Sequence, residues 1–400
     1  MIERTVYLEE LKRWKNQDLI KVVTGIRRCG KSTLFELFIN YLKEIGIKDE
    51  QIIKINLEDA DYDFEGYKEL YDYINHRIDS KTNYYVFLDE VQNVKDFQKA
   101  VDSLYIKKNV DVYITGSNAY LLSGELATLL SGRYIEIKML PLSFTEYKSA
   151  YSDITDNDEL YQKYISIGSF PYTLYLENID DVSLYLGTLF NDLIIKDVMI
   201  RKNINDESML KSVAIFALDN IGNLLSTNNI ANTMISNGRP INVRTVEKYI
   251  EGLCESFFLY KVSRYDIKGK KYLQTVDKYY VSDLGLRYFI LGRKIGDRGH
   301  ILENVVYLEL IRRGYDVFVG KIDDLEVDFV AVNNDGKTYI QVCETLRDND
   351  NKILQRELNS LRKINDNYKK IILTYDKMPI SNEEGIIVQN VLEWLLDKEC

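Results

Sequence analysis

Apolar and polar positions follow two different periods along the first 145 residues. Short apolar runs predict five strands, over Leu19–Thr24, Ile52–Leu57, Tyr84–Leu88, Val110–Thr115 and Tyr134–Leu140. Between them, apolar residues recur at helical spacing and predict helices over Ser32–Ile45, Tyr67–Ile78, Phe97–Lys107 and Ala119–Leu130. Alternation of this kind predicts an α/β fold in which a parallel sheet carries helices on both faces.

The pattern changes after the fifth strand. Glu159–Asp206 predicts mostly helix with an interruption at Gly168–Pro171, and Leu210–Phe258 predicts three further helices. Leu259–Val281 then predicts two strands joined by a short polar turn. From Leu302 onward the pattern predicts a helix, three strands, a helix, a strand and a helix, which indicates a separate α/β domain.

Composition narrows the class of protein. The chain has 400 residues, 46% of them apolar and 28% charged, which is typical of a soluble globular chain of roughly two to four domains. A net charge of −10 argues against binding nucleic acid with the whole surface. The charged first residues lead us to expect no signal peptide, the sequence has no apolar run of membrane-spanning length, and the four cysteines form no C-x-x-C pair. We therefore expect a cytoplasmic protein without a membrane partner.

A phosphate-binding loop follows the first strand. The chain matches the pattern G-x-x-x-x-G-K-[ST] without a mismatch, between a predicted strand and a predicted helix. The two glycines let backbone N–H groups turn toward phosphate oxygens, Lys31 reaches the β- and γ-phosphates, and the Ser32 hydroxyl binds Mg²⁺. The residues predicted to contact the nucleotide are Gly25, Ile26, Arg27, Arg28, Cys29, Gly30, Lys31, Ser32 and Thr33.

Two carboxylates follow the third predicted strand. Asp89 and Glu90 come directly after the apolar run Tyr84–Leu88. We expect Asp89 to hold Mg²⁺, directly or through water, and Glu90 to act as the general base that polarises the attacking water. Together with the phosphate-binding loop, these carboxylates predict an enzyme that binds ATP with Mg²⁺ and hydrolyses it.

The added strand Ile52–Leu57 and the glutamate at position 90 resemble the AAA-type branch of P-loop ATPases. In that branch the next strand ends in a polar residue that positions water or touches the γ-phosphate, and Ser117 and Asn118 are both candidates for it. Both residues would also suit a helix cap. Arg133, just before the fifth strand, lies where that branch places an arginine finger, with a surface salt bridge as the alternative.

The whole order of motifs resembles a family of bacterial and archaeal AAA-type ATPases with a C-terminal domain of unknown function. The segments that carry the resemblance are GIRRCGKST, YYVFLDEVQNV, ITGSNAYLLSGE, LSGRY, LPLSFTEY, GSFPY, KDVMIRKNI, KYYVSDLGLR and EVDFVA. The resemblance implies a P-loop AAA-like domain at 1–150, a helical lid or linker at 151–208, a winged helix at 209–290 and a restriction-endonuclease-like domain at 291–400.

The predicted winged helix is a candidate for DNA contact. Ser226–Ser236 and Val243–Phe258 have helix-turn-helix spacing, and the two following strands would be the wing. Ten basic and four acidic residues between positions 261 and 298 leave this segment with a charge of about +6. The candidate contacts are Arg244, Lys248, Lys268, Lys270 and Lys271. A purely structural or subunit-contact module is the alternative.

The C-terminal domain resembles a nuclease that has lost an essential residue. Such nucleases use an acidic residue, followed on the next strand by Glu or Gln, any residue and Lys; Glu303, Asp328 and Gln341 fit, but Cys343 takes the place of the lysine. A thiol is a poor substitute for an ammonium near a scissile phosphate, so we expect the fold to persist without cutting. Arg347 or Arg356 would be the replacement cation if activity survives.

Three functions remain open at this stage. The first is an ATP-driven switch or motor that acts on DNA, working as a homo-oligomer. The second is a signalling or scaffold ATPase that acts on proteins, which the acidic net charge favours. The third is a nuclease gated by ATP.

Overall fold

The computed structural model describes residues 2–119, 130, 132–151, 153–292, 296–348 and 350–397, with 272–275 described by their backbone alone. The chain forms two compact units. One comprises residues 1–141 with 255–257, and the other comprises residues 142–254 and 258–400. Most of the predicted helix Ala119–Leu130 lies outside the described residues.

The first unit alternates helices and strands as the hydrophobic pattern predicts. Its strands are β1 (Ile20–Thr24), β2 (Ile52–Asn56), β3 (Tyr84–Asp89), β4 (Val110–Gly116) and β5 (Tyr134–Lys138). Its described α-helices are α1 (Thr5–Trp14), α2 (Lys31–Glu44), α3 (Tyr67–Asn75) and α4 (Phe97–Tyr105). Helix α1 is an addition to the elements that the pattern predicted.

The five strands form one parallel sheet in the order β2-β3-β4-β1-β5. Every residue of β1 and β3 is buried, as expected for central strands covered on both faces. Apolar side chains from β1, β2, β3 and β4 pack with α3 and α4 in one core cluster. The predicted P-loop type α/β fold is confirmed. Because the strands are parallel, the residues that follow β1, β3 and β4 meet at one edge of the sheet.

Helices make up the first part of the second unit. They are α5 (Phe144–Ala150), α6 (Asn157–Ile167), α7 (Ile179–Asp192), α8 (Glu207–Asp219), α9 (Thr227–Ser236), α10 (Val243–Glu255) and α11 (Leu284–Leu291). A π-helical stretch, Leu193–Ile200, continues α7. Helix α5 begins with a capping box, in which Ser143 Oγ accepts from Glu146 N and Ser143 N donates to Glu146 Oε2.

The second unit also contains an eight-stranded mixed sheet. Its strands are β6 (Leu259–Asp266), β7 (Lys271–Val281), β8 (Asp316–Ile322), β9 (Leu325–Asn333), β10 (Gly336–Cys343), β11 (Lys369–Thr374), β12 (Ser381–Glu383) and β13 (Ile386–Asn390), in the order β12-β13-β11-β10-β9-β8-β6-β7. The helices α12 (Arg298–Arg312), α13 (Lys352–Arg362) and α14 (Val391–Leu396) pack against it. The pattern did not predict the β12–β13 hairpin.

The β6–β7 hairpin, predicted as the wing, is the edge of this sheet. Strand β6 pairs with β7 in antiparallel fashion and with β8 in parallel over Arg264–Asp266. On its other side, β7 forms an isolated bridge between Asp277 and Leu225, just before α9. The hairpin therefore joins the helical segment to the C-terminal strands, and no free-standing wing is formed by the described residues.

Asp283 connects two motifs that lie far apart in the chain. Its carboxylate caps α11 by accepting from Leu286 N at 2.9 Å, and it also accepts from Ser169 N at 2.5 Å and Ser169 Oγ at 2.7 Å. Gly168 has φ +91°, and a Cβ there would lie 2.6 Å from Asp283 Oδ1. The turn GSFP and the segment SDLGL therefore pack directly against each other. Among the described residues, no helix is long and apolar enough to cross a membrane.

Candidate active site

The phosphate-binding loop runs from the end of β1 to the start of α2. Gly25 and Gly30 have φ +150° and +106°, values that L side chains rarely adopt. A Cβ on Gly25 would lie 2.1 Å from the carbonyl oxygen of Met139, so the loop passes against the backbone that follows β5. Helix α2 begins at Lys31, and the free N–H groups of its first turn favour an anion.

Lys31 lies in the concave side of this loop. Its side chain is buried, and Nζ donates to Gly25 O at 3.0 Å and to Ile26 O at 3.3 Å. Nζ also lies 3.5 Å from Glu90 Oε1. The structure thus brings the lysine of the loop and the carboxylate after β3 together, as the two motifs predicted.

Asp89 and Ser32 are adjacent, and their donor atoms suit Mg²⁺. The Ser32 hydroxyl hydrogen-bonds to the Asp89 carboxylate, and the Thr115 hydroxyl donates to Asp89 Oδ1. Burial raises the pKa of Asp89, although the hydrogen bonds from Ser32 and Thr115 act in the opposite direction. Mg²⁺ prefers a hydroxyl and one or two carboxylates, completed by phosphate oxygens and water. The pair therefore fits the ion that the motifs imply.

Glu90 is held in position by its backbone and by three neighbouring groups. Its φ of +54° is uncommon for a residue with a side chain and is often found at functional sites. Its N–H donates to Thr115 Oγ1 at 2.9 Å, and Gln92 Nε2 donates to its Oε2. Burial would raise the pKa of Glu90, but Lys31, Gln92 and Arg27 outweigh burial and lower it. The carboxylate is therefore ionised at neutral pH, as a general base must be.

Comparison with known proteins shows the family to which the chain belongs. Residues 17–148 match a family model described as an AAA domain, and residues 158–295 match a domain of unknown function, DUF8612. A protein of Haemophilus influenzae is 40% identical over 404 residues, which span 99% of each chain. The chain belongs to this family of AAA-domain proteins.

Two further relatives extend the comparison. A Methanocaldococcus jannaschii protein is 29% identical over 396 residues, 92% of this chain and 86% of the relative. A solved Walker-type ATPase of Pyrococcus abyssi superposes with a TM-score of 0.50 at 15% identity, covering 72% of this chain and 96% of that chain. The last comparison supports the fold alone. The AAA domain assigns an ATPase-type, nucleotide-binding character to the N-terminal unit in general terms.

In this AAA-domain protein, Ser117 and Asn118 follow β4 and differ in their hydrogen bonding. Ser117 is fully buried, and within the described residues its Oγ has no hydrogen-bond partner. Asn118 is also buried but already has an interaction partner. A buried hydroxyl without a partner is costly, so Ser117 is the candidate with unused capacity for a water or a phosphate oxygen.

The arginines of the AAA domain have different environments. Arg28 is exposed in the loop with φ +67°, while Arg27 donates to Glu58 Oε1 at 3.1 Å. Arg133 pairs with Asp102, and its guanidinium lies 5.7 Å from the ring centre of Tyr105. Its side chain remains 44% exposed. Arg133 thus forms the surface salt bridge that was the alternative to an arginine finger, and part of its side chain stays exposed.

Three residues of the site escaped the sequence motifs. The Thr115 hydroxyl donates to the Asp89 carboxylate and accepts from the backbone N–H of Glu90, and Gln92 donates to the Glu90 carboxylate. Arg4 donates to Cys29 O at 2.8 Å and Leu140 O at 2.6 Å. The buried Arg4 guanidinium thereby joins the loop to the chain after β5. Thr115 lies within the segment ITGSN, so its position at a strand end was visible. Nothing in the local sequence marks Arg4.

The predicted nuclease residues also come together in the second unit. Asp328 N donates to Gln341 Oε1 at 2.7 Å, and Asp328 Oδ2 accepts from Val342 N at 2.8 Å. Glu303 lies in the same cluster through Lys278, whose Nζ is 2.8 Å from Glu303 and 3.9 Å from Asp328. Burial and the charge of Glu303 raise the pKa of Asp328 well above its usual range.

The positive charge beside Glu303 and Asp328 comes from a strand that the nuclease pattern does not include. Cys343 is buried, and burial raises the pKa of its thiol to about 12, so it supplies no charge. Arg347 is largely exposed and contacts Asp376, while Arg356 pairs with Glu357. Lys278 of β7 supplies the ammonium instead. A motif search cannot find it, because β7 lies outside the nuclease pattern.

Among its described residues, the basic segment between residues 261 and 298 has fewer exposed, unpaired charges than its net charge of about +6 suggests. Lys278 and Arg287 are buried, and three others are paired, Lys261 with Asp277, Lys268 with Asp323 and Arg298 with Glu344. Arg293 and Lys294 lie outside the described residues. The DNA-contact candidates Arg244, Lys248, Lys270 and Lys271 are exposed, although Lys248 donates to Asn203 O at 3.2 Å.

Proposed function

We propose that the N-terminal unit binds ATP with Mg²⁺ and hydrolyses it. The observation that carries this proposal is the hydrogen-bonded group of Lys31, Asp89, Glu90 and Thr115 at one edge of the parallel sheet. Main-chain N–H groups from Gly25 to Ser32 cradle the phosphates, and Lys31 neutralises their charge. Ser32 and Asp89 would hold a magnesium ion, which would supply positive charge to offset that of the phosphates.

Glu90 accepts the proton of the attacking water in this proposal. Gln92 holds its ionised carboxylate, and the hydrogen bond to Thr115 holds its backbone. Because the residue is already in position, little conformational entropy is lost when the water is bound. The Ser117 hydroxyl, which has no partner among the residues that the structure describes, bonds to the water or to the γ-phosphate in this proposal. Asn118, the next residue, is the other candidate for this role, but it already has an interaction partner.

Two substitutions test the assignment of these roles. Lys31→Ala should abolish binding of a fluorescent ATP analogue, because it removes the ammonium that lies against the loop at Gly25 O and Ile26 O. Glu90→Gln should bind ATP normally but hydrolyse it about 10²–10⁴ times more slowly, because the amide cannot take a proton. Normal hydrolysis by Glu90→Gln would show that another group is the base.

We further propose that ATP turnover drives a switch or motor that acts on DNA as a homo-oligomer. Support comes from the exposed Arg244 and Lys248 on α10, from Lys270 in the turn between β6 and β7, and from Lys271 at the start of β7. Helices and hairpins with such residues suit phosphate contacts along a groove. Ion pairs with Asp277, Asp323 and Glu344 weaken the attraction of the basic segment 261–298 for DNA.

A protein-directed signalling or scaffold ATPase is the second candidate. The ion pairs within the basic segment favour it, and so do the exposed apolar side chains of Tyr172, Tyr175, Ile179 and Leu184 in the helical part of the second unit. Such apolar surface suits a protein partner better than a phosphate backbone.

A single series of measurements distinguishes the two targets. ATPase rate and oligomeric mass are measured together, with and without duplex and single-stranded DNA, at low and moderate salt. DNA action predicts faster turnover that weakens as salt rises, and loss of the effect in Lys270→Glu with Lys271→Glu. Nucleotide-dependent assembly without any response to DNA would favour the protein-directed function.

A further inference from the structure

Lys278 lies inside a cluster of carboxylates that belongs to the second unit. Its Nζ is 2.8 Å from Glu303 Oε1, 2.8 Å from Glu326 Oε1 and 3.9 Å from Asp328 Oδ1. The lysine side chain is only 4% exposed, and Glu303 is similarly buried. Three carboxylates that belong to two different elements, α12 and β9, therefore share one buried ammonium.

The hairpin strand β7 supplies a second group to the same cluster. Tyr280, two residues after Lys278, donates its hydroxyl to Glu303 Oε1. Alternate residues of a strand face the same side, so both side chains reach α12 from one face of the hairpin. Burial alone would lower the pKa of Lys278, but Glu303, Asp328 and Glu326 raise it overall. The lysine therefore keeps its positive charge.

Asp328 and the neighbouring Gln341 have further partners in the cluster. Asp328 Oδ2 accepts from Val342 N, and Gln341 binds Asp328 N through Oε1 and Glu357 Oε2 through Nε2. In the part of the chain that the structure describes, no group of three metal-binding side chains is arranged to hold an ion. A nuclease-like fold implies a divalent metal at these acids, and the arrangement present does not fit one.

We propose that the Lys278 ammonium takes the place of a divalent cation among Glu303, Glu326 and Asp328, and thereby makes this centre an internal ion-pair cluster instead of a metal-dependent cutting site. The cluster fastens the β6–β7 hairpin to α12 and β9. A divalent cation needs the carboxylate oxygens that the ammonium occupies, and two positive charges at one point repel each other. Loss of the lysine charge uncovers a latent site for a divalent metal.

The test is binding of Mn²⁺ to the full-length chain without nucleotide, measured by electron paramagnetic resonance. Lys278→Met should gain one Mn²⁺ site with an affinity at least about tenfold above that of the unmodified chain. Lys278→Arg is the matched control, since it keeps the positive charge, and it should gain no site. Lys278→Met combined with Asp328→Asn should lose the gained site.

Folding is checked for each variant by circular dichroism. If Lys278→Met does not fold, Lys278→Gln replaces it, because the amide retains hydrogen-bond donors while removing the charge. Mn²⁺ should also raise the melting temperature of the neutral variant and leave that of Lys278→Arg unchanged. Any Mn²⁺ bound by the N-terminal unit is common to all variants and cancels in the comparison.

Two results would overturn the proposal. One is equal Mn²⁺ binding by the unmodified chain and Lys278→Met, with both losing it on Asp328→Asn. The other is Mn²⁺-dependent cleavage of plasmid DNA by the unmodified chain that disappears in Lys278→Met, which would make the ammonium part of an active nuclease. Neither result depends on hydrolysis of ATP, so the proposal is tested separately from the function of the N-terminal unit.

Discussion

At the scale of single residues, Thr115 is the hub of the nucleotide site. One hydroxyl donates to the carboxylate expected to hold magnesium and accepts from the backbone of the expected base. These bonds orient the Asp89 carboxylate and brace the unusual backbone conformation of Glu90. Thr115 therefore holds in place the two residues proposed to carry the chemistry.

Thr115→Val tests this role, because valine has the shape of threonine without its hydroxyl. The turnover number should fall by about 10–100-fold while ATP binding changes little. Thr115→Ser is the matched control and should retain most of the activity, because it keeps the hydroxyl. Both rates are measured at saturating ATP with Mg²⁺. Equal activity in the valine and serine variants would show that the hydroxyl does not position the carboxylates.

The polar residues after β4 allow a second measurement at this scale. Ser117→Ala removes a buried hydroxyl that has no partner within the described residues, so stability should change by less than about 1 kcal/mol while turnover falls. Asn118→Ala removes a residue with an existing partner, and it should lower the melting temperature more. A chemical denaturation series run beside the ATPase assay compares the two. An unchanged turnover in Ser117→Ala would show that the Ser117 hydroxyl does not position the water or contact the γ-phosphate.

At the scale of elements, shared caps and close approaches decide how helices join. Asp283 caps α11 and also receives both hydrogen bonds of Ser169, which follows α6. Gly285 lies so close that a Cβ would be 2.5 Å from Ile167 O. The segment GSFP and the segment SDLGL therefore act as one joint, although more than a hundred residues separate them.

Asp283→Ala should loosen this joint. The change removes a helix cap and leaves the buried donors of Ser169 without an acceptor, which together cost about 2–4 kcal/mol of unfolding free energy. Asp283→Asn keeps one acceptor oxygen and should cost less. Urea denaturation followed by circular dichroism measures both. An alanine variant as stable as the unmodified chain would mean that other groups satisfy Ser169 and Leu286.

At the scale of the whole molecule, the proposed homo-oligomer predicts that one subunit completes another's site. Arg133 pairs with Asp102 and remains partly exposed on the surface of the first unit. If it acts as an arginine finger in trans, its contribution depends on assembly and not on the fold of a single chain. Subunit mixing can separate these two cases.

We expect Arg133→Ala and Lys31→Ala to be inactive alone and active when mixed. The first has an intact nucleotide loop without the finger, and the second has the finger without a working loop, so a mixed interface combines both intact parts. Arg133→Lys retains a charge and serves as the matched control. The ATPase rate is measured across mixing ratios. Activity that never rises on mixing would leave Arg133 as a surface ion pair.

The sequence by itself determined the parts that depend on contiguous spacing. The five parallel strands, the loop from Gly25 to Ser32 and the carboxylates Asp89 and Glu90 were predicted, because local periodicity and turn chemistry specify them. Most helices of the second unit were predicted for the same reason, whereas the β12–β13 hairpin was not, since short strands carry little periodicity.

Tertiary structure alone decided which distant side chains meet. Sheet order and register place Thr115 beside both carboxylates, and the pairing of β6 with β8 brings Lys278 of β7 among Glu303, Glu326 and Asp328. The same pairing makes the β6–β7 hairpin, expected as a free wing, the edge of the sheet. Several basic residues of the segment 261–298 form ion pairs. Such contacts depend on where the strands lie in space, and a linear pattern records only where they lie in the chain.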